Sequence, residues 1–127
     1  MGFRRVLIAN RGEIALRILR TLRTRGSEVY IVHTAEDRRS RAVHLSDRAV
    51  EIQGPTPVAA YLDIEQIVQA AVDLGADAVH PGYGFLAENP TFAERLNEEG
   101  ITFIGPSPEV LRVLGDKIEA RRLMGEA

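Results

Sequence analysis

The chain has 127 residues, 45% of them apolar and 27% charged, enough for a single core and one domain over residues 1–127. Its formal net charge of -2 argues against a nucleic-acid coat protein, which needs a strongly basic face, and no apolar run approaches the ~20 residues that span a bilayer. Cysteine is absent, so disulfides, thiolate chemistry and cysteine-held metals are excluded and a cytoplasmic protein is expected.

Met1 is followed at once by Arg4 and Arg5, so no apolar signal core is expected. Val6-Leu7-Ile8-Ala9 reads as a buried strand. From Glu13 to Arg23 the apolar period becomes helical, with Ile14, Ile18 and Leu22 in one row and Ala15 and Leu19 beside it. Gly26 is placed to close that helix. Val29-Tyr30-Ile31-Val32 predicts a second strand, Asp37 to Leu45 a short helix, Ala49-Val50-Glu51-Ile52 a third strand, and Gly54-Pro55-Thr56-Pro57 a loop.

Asp63, with Gln66 in the reciprocal position, predicts a capping box. Ile64, Ile67, Val68, Ala71 and Val72 would form the apolar face of the helix behind it, and Gly75 its end. Ala78-Val79-His80 is a fourth strand. Asn89-Pro90 opens a helix that ends near Gly100, since proline suits the first helical position. Ile101-Thr102-Phe103-Ile104 is a fifth strand. Ser107-Pro108 predicts a short helix ending at Gly115, and Asp116 with Glu119 a second capping box for a last helix from about Lys117. That helix lacks the stop signals used elsewhere, so it is expected to lead into another domain. Strands alternating with helices imply right-handed βαβ units. The expected fold class is therefore α/β in three layers: a mostly parallel five-stranded sheet with helices on both faces.

In open α/β sheets, ligands bind beyond the carboxyl ends of the strands. Those ends carry Asn10-Arg11-Gly12-Glu13, His33-Thr34, His80-Pro81-Gly82-Tyr83-Gly84 and Gly105-Pro106-Ser107. A dinucleotide site needs G-x-G-x-x-G at the first of them. Gly12 stands alone there, and Glu13 puts a carboxylate where a phosphate would bind, so a nicotinamide-dinucleotide role is rejected. Glu13 is expected to complete the helix dipole and pair with Arg17.

The loop Gly82-Tyr83-Gly84-Phe85-Leu86 has two readings: backbone amides and Tyr83 lining a ligand cleft, or a structural turn with Phe85 and Leu86 plugged into the core. Of 16 basic residues only Lys117 is lysine. It is either an ordinary surface lysine or an ammonium aimed at phosphates. Arg17, Arg20 and Arg23 form either a solvated helix face or a polar subunit contact. His33, His44 and His80 lack metal-ligand spacing, and neither G-x-S-x-G nor a P-loop occurs. The residues by themselves thus reach one doubly wound domain without a self-contained catalytic set.

Four stretches, in order and in register, resemble the biotin carboxylase family. They are Val6 to Ala15 (VLIANRGEIA), His80 to Asn89 (HPGYGFLAEN), Phe103-Ile104-Gly105-Pro106, and Gly115-Asp116-Lys117. Ala87 stands where many members carry Ser. The resemblance implies the Rossmann-like domain that precedes an ATP-grasp fold, with the ATP-grasp and C-terminal domains absent from residues 1–127. It implies an ATP-dependent ligase that uses ATP and Mg²⁺ to activate bicarbonate through carboxyphosphate and carboxylates biotin on a carrier domain. On the same ground Lys117 would reach the ATP phosphates, and Tyr83, Gly84 and Glu88 would face the biotin and bicarbonate end of the cleft. Arg17 and Arg20 would lie in a homodimer contact.

The implied partners are the remaining carboxylase domains, the biotin carboxyl carrier and the carboxyltransferase. Catalytic and metal-binding residues would belong to the other domains, so this chain alone is expected to be inactive and to bind no cofactor tightly. The acceptor (acetyl-CoA, propionyl-CoA, a longer acyl-CoA, pyruvate or urea) is not encoded here. Two other readings stand beside this one: a non-catalytic module that dimerises through its first helix, and the leading domain of another ATP-grasp ligase.

Overall fold

The computed structural model describes residues 2–125. Five strands, β1 (Arg5–Ile8), β2 (Glu28–His33), β3 (Arg48–Glu51), β4 (Ala78–His80) and β5 (Thr102–Phe103), form one sheet in the order β3-β2-β1-β4-β5. Every pairing is parallel. The helices are α1 (Gly12–Thr24), α2 (Arg41–Leu45), α3 (Pro57–Tyr61), α4 (Ile64–Leu74), α5 (Pro90–Glu98) and α6 (Pro108–Gly125). The expected α/β class with helices on both faces is therefore the observed one.

Side-chain alternation along the strands builds two cores. Leu7, Tyr30, Val32 and Val79 point to one face and pack with Ile67, Ala71, Phe92 and Leu96 from α4 and α5. Val6, Ile8, Val29, Ile31 and Ala78 point to the other and pack with Ala15, Leu19 and Leu22 from α1. Phe92 and Phe103 meet edge to face at 6.0 Å, an arrangement the ring quadrupoles favour.

Local rules explain most helix boundaries. Asp63 accepts from the Gln66 amide at 3.1 Å, and Gly75 ends α4 in the left-handed conformation. The Gln66 side chain does not return to the Asp63 backbone as the full box requires. It donates instead to the Asp63 carboxylate and to Gln53 O. Asp63→Ala is expected to cost about 1 kcal/mol, read as a lowered denaturant midpoint at constant m-value.

Several expectations are corrected. The helix expected over Asp37 to Leu45 is split into a 3-10 turn, Ala35–Asp37, and α2, because Ser40 caps α2 through the Val43 amide while Asp37 is held by Arg11. The Gly54 to Pro57 loop runs into a short helix, α3, capped by Thr56, too brief to show a period. On α4, Val72 is 42% exposed, and Ala70 and Leu74 complete the buried face.

The largest correction concerns α6. Gly115 does not end a helix, nor does Asp116 start one: α6 runs unbroken from Pro108. A glycine inside a helix costs only about 1 kcal/mol relative to alanine, which a helix of 18 residues absorbs. Lys117 therefore sits within a helix rather than at its positive end. Glu126 and Ala127, over which the last helix was expected to extend, lie outside the described residues.

Candidate functional site

The strand order reverses at β1, so the usual ligand crevice lies between the carboxyl ends of β1 and β4. Here it is filled from within. Asn10, 1% exposed, donates through Nδ2 to Pro81 O at 2.8 Å and to Tyr83 O at 2.9 Å. Its Oδ1 accepts from the Arg11 amide at 2.8 Å. Gly82 has φ +67°, and a Cβ there would lie 2.8 Å from Ile14 Cγ2 and 2.9 Å from Asn10 Nδ2. Backbone and amide thus occupy the place where a pyrophosphate would need open glycines, which supports the rejection of a dinucleotide role.

Two further contacts fix the same rim. His80 Nδ1 accepts from the Gly82 amide at 3.1 Å, and burial pushes the imidazole pKa below its ordinary value. On the β2 side, Arg11 grips Asp37 with two bonds of 2.6 and 2.7 Å. Tyr61 Oη donates to the same carboxylate at 2.7 Å and accepts from the Thr34 amide at 3.3 Å. The guanidinium bonds hold the Asp37 carboxyl below the usual carboxylate range. Burial, then the bond to Asp37, pushes Tyr61 up to about 12. Asn10, Asp37 and Tyr61 received no site role from sequence. Only the position of Asn10 at a strand end hinted at one, and no local pattern links Asp37 to Arg11 or Tyr61.

The loop after β4 is the structural turn with Phe85 and Leu86 turned inward, and it leaves Tyr83 on the surface. Leu86 is buried at 2% exposure and Phe85 packs against Tyr61 with ring centroids 5.1 Å apart, while Tyr83 is 72% exposed. Tyr83 stands between two grooves. One, of about 360 Å³, is lined by Glu13, Ile14, Arg17, Ile18, His80 and Gly82. The other, of about 320 Å³, is bounded by Ala87, Glu88 and Pro106 and by Leu111, Leu114, Gly115 and Ile118 of α6. Ile14 and Ile18 of α1, both half-buried, thus form the apolar floor of the first groove.

The residues expected at a ligand therefore converge in part. Tyr83 and Glu88 share the α6 groove. Gly84 is exposed beside them but lines neither groove. Lys117 is exposed on α6, directly before Ile118, and borders a shallow depression with Ala120, Arg121 and Met124. Arg17 and Arg20 are exposed on α1. Arg17 borders the first groove with Glu13, but the expected Glu13–Arg17 ion pair does not form among the described residues. Arg23 leaves that face to pair with Asp47 at 3.4 Å.

Among the described residues no three His, Asp or Glu side chains are grouped to hold a metal ion, so these residues do not fit a magnesium site. Nor is any helix long and apolar enough to cross a membrane.

Comparison with known proteins places this geometry. The family described as "Biotin carboxylase, N-terminal domain" matches residues 2–111. The biotin carboxylase of Haemophilus influenzae is 51% identical over 97% of this chain, which covers 28% of that protein. A pyruvate carboxylase subunit from Methanothermobacter thermautotrophicus is 43% identical over 98% of the chain and 26% of that protein. The crystal structure of the biotin carboxylase domain dimer of Hydrogenobacter thermophilus 2-oxoglutarate carboxylase, in complex with MgADP, ADP and bicarbonate, superimposes with a TM-score of 0.88 at 42% identity. That match covers 99% of this chain and 28% of the other. The chain thus spans a little over a quarter of these relatives, and it belongs to the family of biotin carboxylase N-terminal domains.

Proposed function

We propose that this domain is one wall of an ATP-dependent biotin carboxylase, with bicarbonate as the carbon source. On this reading residues 1–127 form one domain, and the ATP-grasp and C-terminal domains, the carrier and the carboxyltransferase complete the enzyme. The observation that carries the reading is the meeting of the exposed Tyr83, Glu88 and the apolar flank of α6 in one groove, within a fold shared over its full length with a biotin carboxylase domain.

In that groove Tyr83 offers an aromatic face for the bicyclic ring of biotin and Glu88 a polar edge, and the exposed Gly84 backbone lies beside them, outside the groove, toward the same ligand. Lys117, an exposed ammonium on α6, meets the ATP phosphates. Arg17 and Arg20 contribute to a homodimer contact on the opposite side of Tyr83. ATP brings the phosphoryl group and Mg²⁺ neutralises its charge. This chain supplies position and one cation, and such electrostatic placement is the main work in phosphoryl transfer. The isolated chain is accordingly inactive.

The family match sets aside a leading domain of an unrelated ATP-grasp ligase. Relatives acting in pyruvate and 2-oxoglutarate carboxylases match alike, so the acceptor is read elsewhere in the enzyme. In the complete enzyme, Lys117→Ala is expected to raise the ATP concentration for half-maximal rate about tenfold, equivalent to about 1.4 kcal/mol of phosphate contact. The biotin requirement and the unfolding midpoint should stay put. An unaltered ATP requirement would remove Lys117 from the phosphate site.

A further inference from the structure

The loop that carries Tyr83 and Gly84 is held by two residues that no ligand role accounts for. Asn10 takes its carbonyls, Pro81 O and Tyr83 O. His80 Nδ1 accepts from the Gly82 amide. The second contact has the form of an Asx turn: a side-chain acceptor at one residue receives the amide two residues on. An imidazole can play that part only when Nδ1 carries no proton, so the neutral ring must hold its proton on Nε2. Once protonated, both nitrogens are donors, and Nδ1–H would face Gly82 N–H at 3.1 Å. The loop backbone passes so close to α1 at this point that a Cβ on Gly82 would meet Ile14 Cγ2 and Asn10 Nδ2 below 3.0 Å.

We propose that His80 is a positioning residue: in its neutral Nε2–H form it latches the Tyr83–Gly84 loop, and protonation releases it. The functional part rests on the reading of Tyr83 and Gly84 as ligand-facing; the latch itself does not. His80 borders two grooves, and the charged or titratable groups that share them are Glu13 and Arg17 from α1 and Tyr83 from the loop. β5 presents the apolar Ile104 beyond its register with β4. Glu13 favours the protonated ring and Arg17 opposes it. Half-burial in an apolar setting disfavours the charged ring, which places the release below the ordinary histidine range.

The test is a pH titration of this chain by NMR. The His80 ring should show an unprotonated Nδ1 at neutral pH. The Gly82, Tyr83 and Gly84 amides should move together with the midpoint of that ring. His80→Asn supplies an acceptor in the same Asx-turn position but does not titrate, so the three amides should keep their neutral-pH positions and lose the transition. His80→Ala should displace them at every pH. In the complete enzyme, His80→Ala should raise KM for biotin about tenfold with KM for ATP unchanged, and His80→Asn should restore it. An Nδ1–H tautomer in the parent chain, or a loop transition that persists in His80→Asn, would overturn the latch. A loop that titrates as expected while KM for biotin ignores all three forms would leave the latch standing and sink the reading of Tyr83 and Gly84 instead.

Discussion

Replacing Asp37 by alanine is expected to destabilise the domain by about 2–4 kcal/mol, the sum of lost bonds to a charged group and a stranded hydroxyl. The carboxylate is the hub of its cluster: it accepts from Arg11 Nε and Nη2 and from Tyr61 Oη. Arg11 is half exposed, so water can satisfy it after the substitution. Tyr61 is 1% exposed and has no such recourse. Tyr61→Phe strands no hydroxyl but takes the acceptor from the buried Thr34 amide, so it should cost about 1–3 kcal/mol.

The pH profile of stability carries the same logic. The Asp37 pKa is depressed in the fold, first by the Arg11 bonds. Its stabilising contribution is thus full above the unfolded carboxylate value of about 3.8 and is lost as pH falls through the folded pKa. The Tyr61 pKa is raised, first by burial, from 10.0 to about 12. Its contribution is full below 10.0 and is lost as pH rises through the folded value of about 12. Asp37→Ala should flatten the acid limb. The alkaline limb should largely remain, because burial, its main cause, persists. Denaturant midpoints across the two windows, parent against variant, provide the check. An acid limb of the parent's steepness in the variant would assign it to other carboxylates.

Gly82→Ala should cost about 3 kcal/mol. A left-handed conformation at a residue with a side chain accounts for roughly 1–2 of these, and overpacking for a further ~1–3. Both apply, since φ is +67° and the added Cβ would meet Ile14 Cγ2 and Asn10 Nδ2 below 3.0 Å. Removing Ile14 Cγ2 separates the two. In an Ile14→Ala background, Gly82→Ala should cost measurably less, and the remainder is the backbone strain plus the contact with Asn10. Additive costs would show that α1 is not the obstacle and that the loop is closed by its own conformation.

The sequence alone determined the layered α/β architecture, because short-range physics writes it. Five apolar runs are legible in the sequence, a helical period follows the first strand and the cap at Asp63, and the caps at Asp63 and Asn89 act within three residues. It also carried the four motifs that mark the family. Tertiary structure decided where the residues of those motifs sit. Gly115 lies inside α6 because a helix of 18 residues absorbs one glycine, and that continuity sets the place of Lys117. The closed crevice needed Asn10 to meet a loop more than seventy positions away in the chain. The Arg11–Asp37–Tyr61 cluster joins three elements that no sequence window contains together. A buried donor must find its acceptor wherever the fold brings one, and that choice is made across the sheet rather than along the chain.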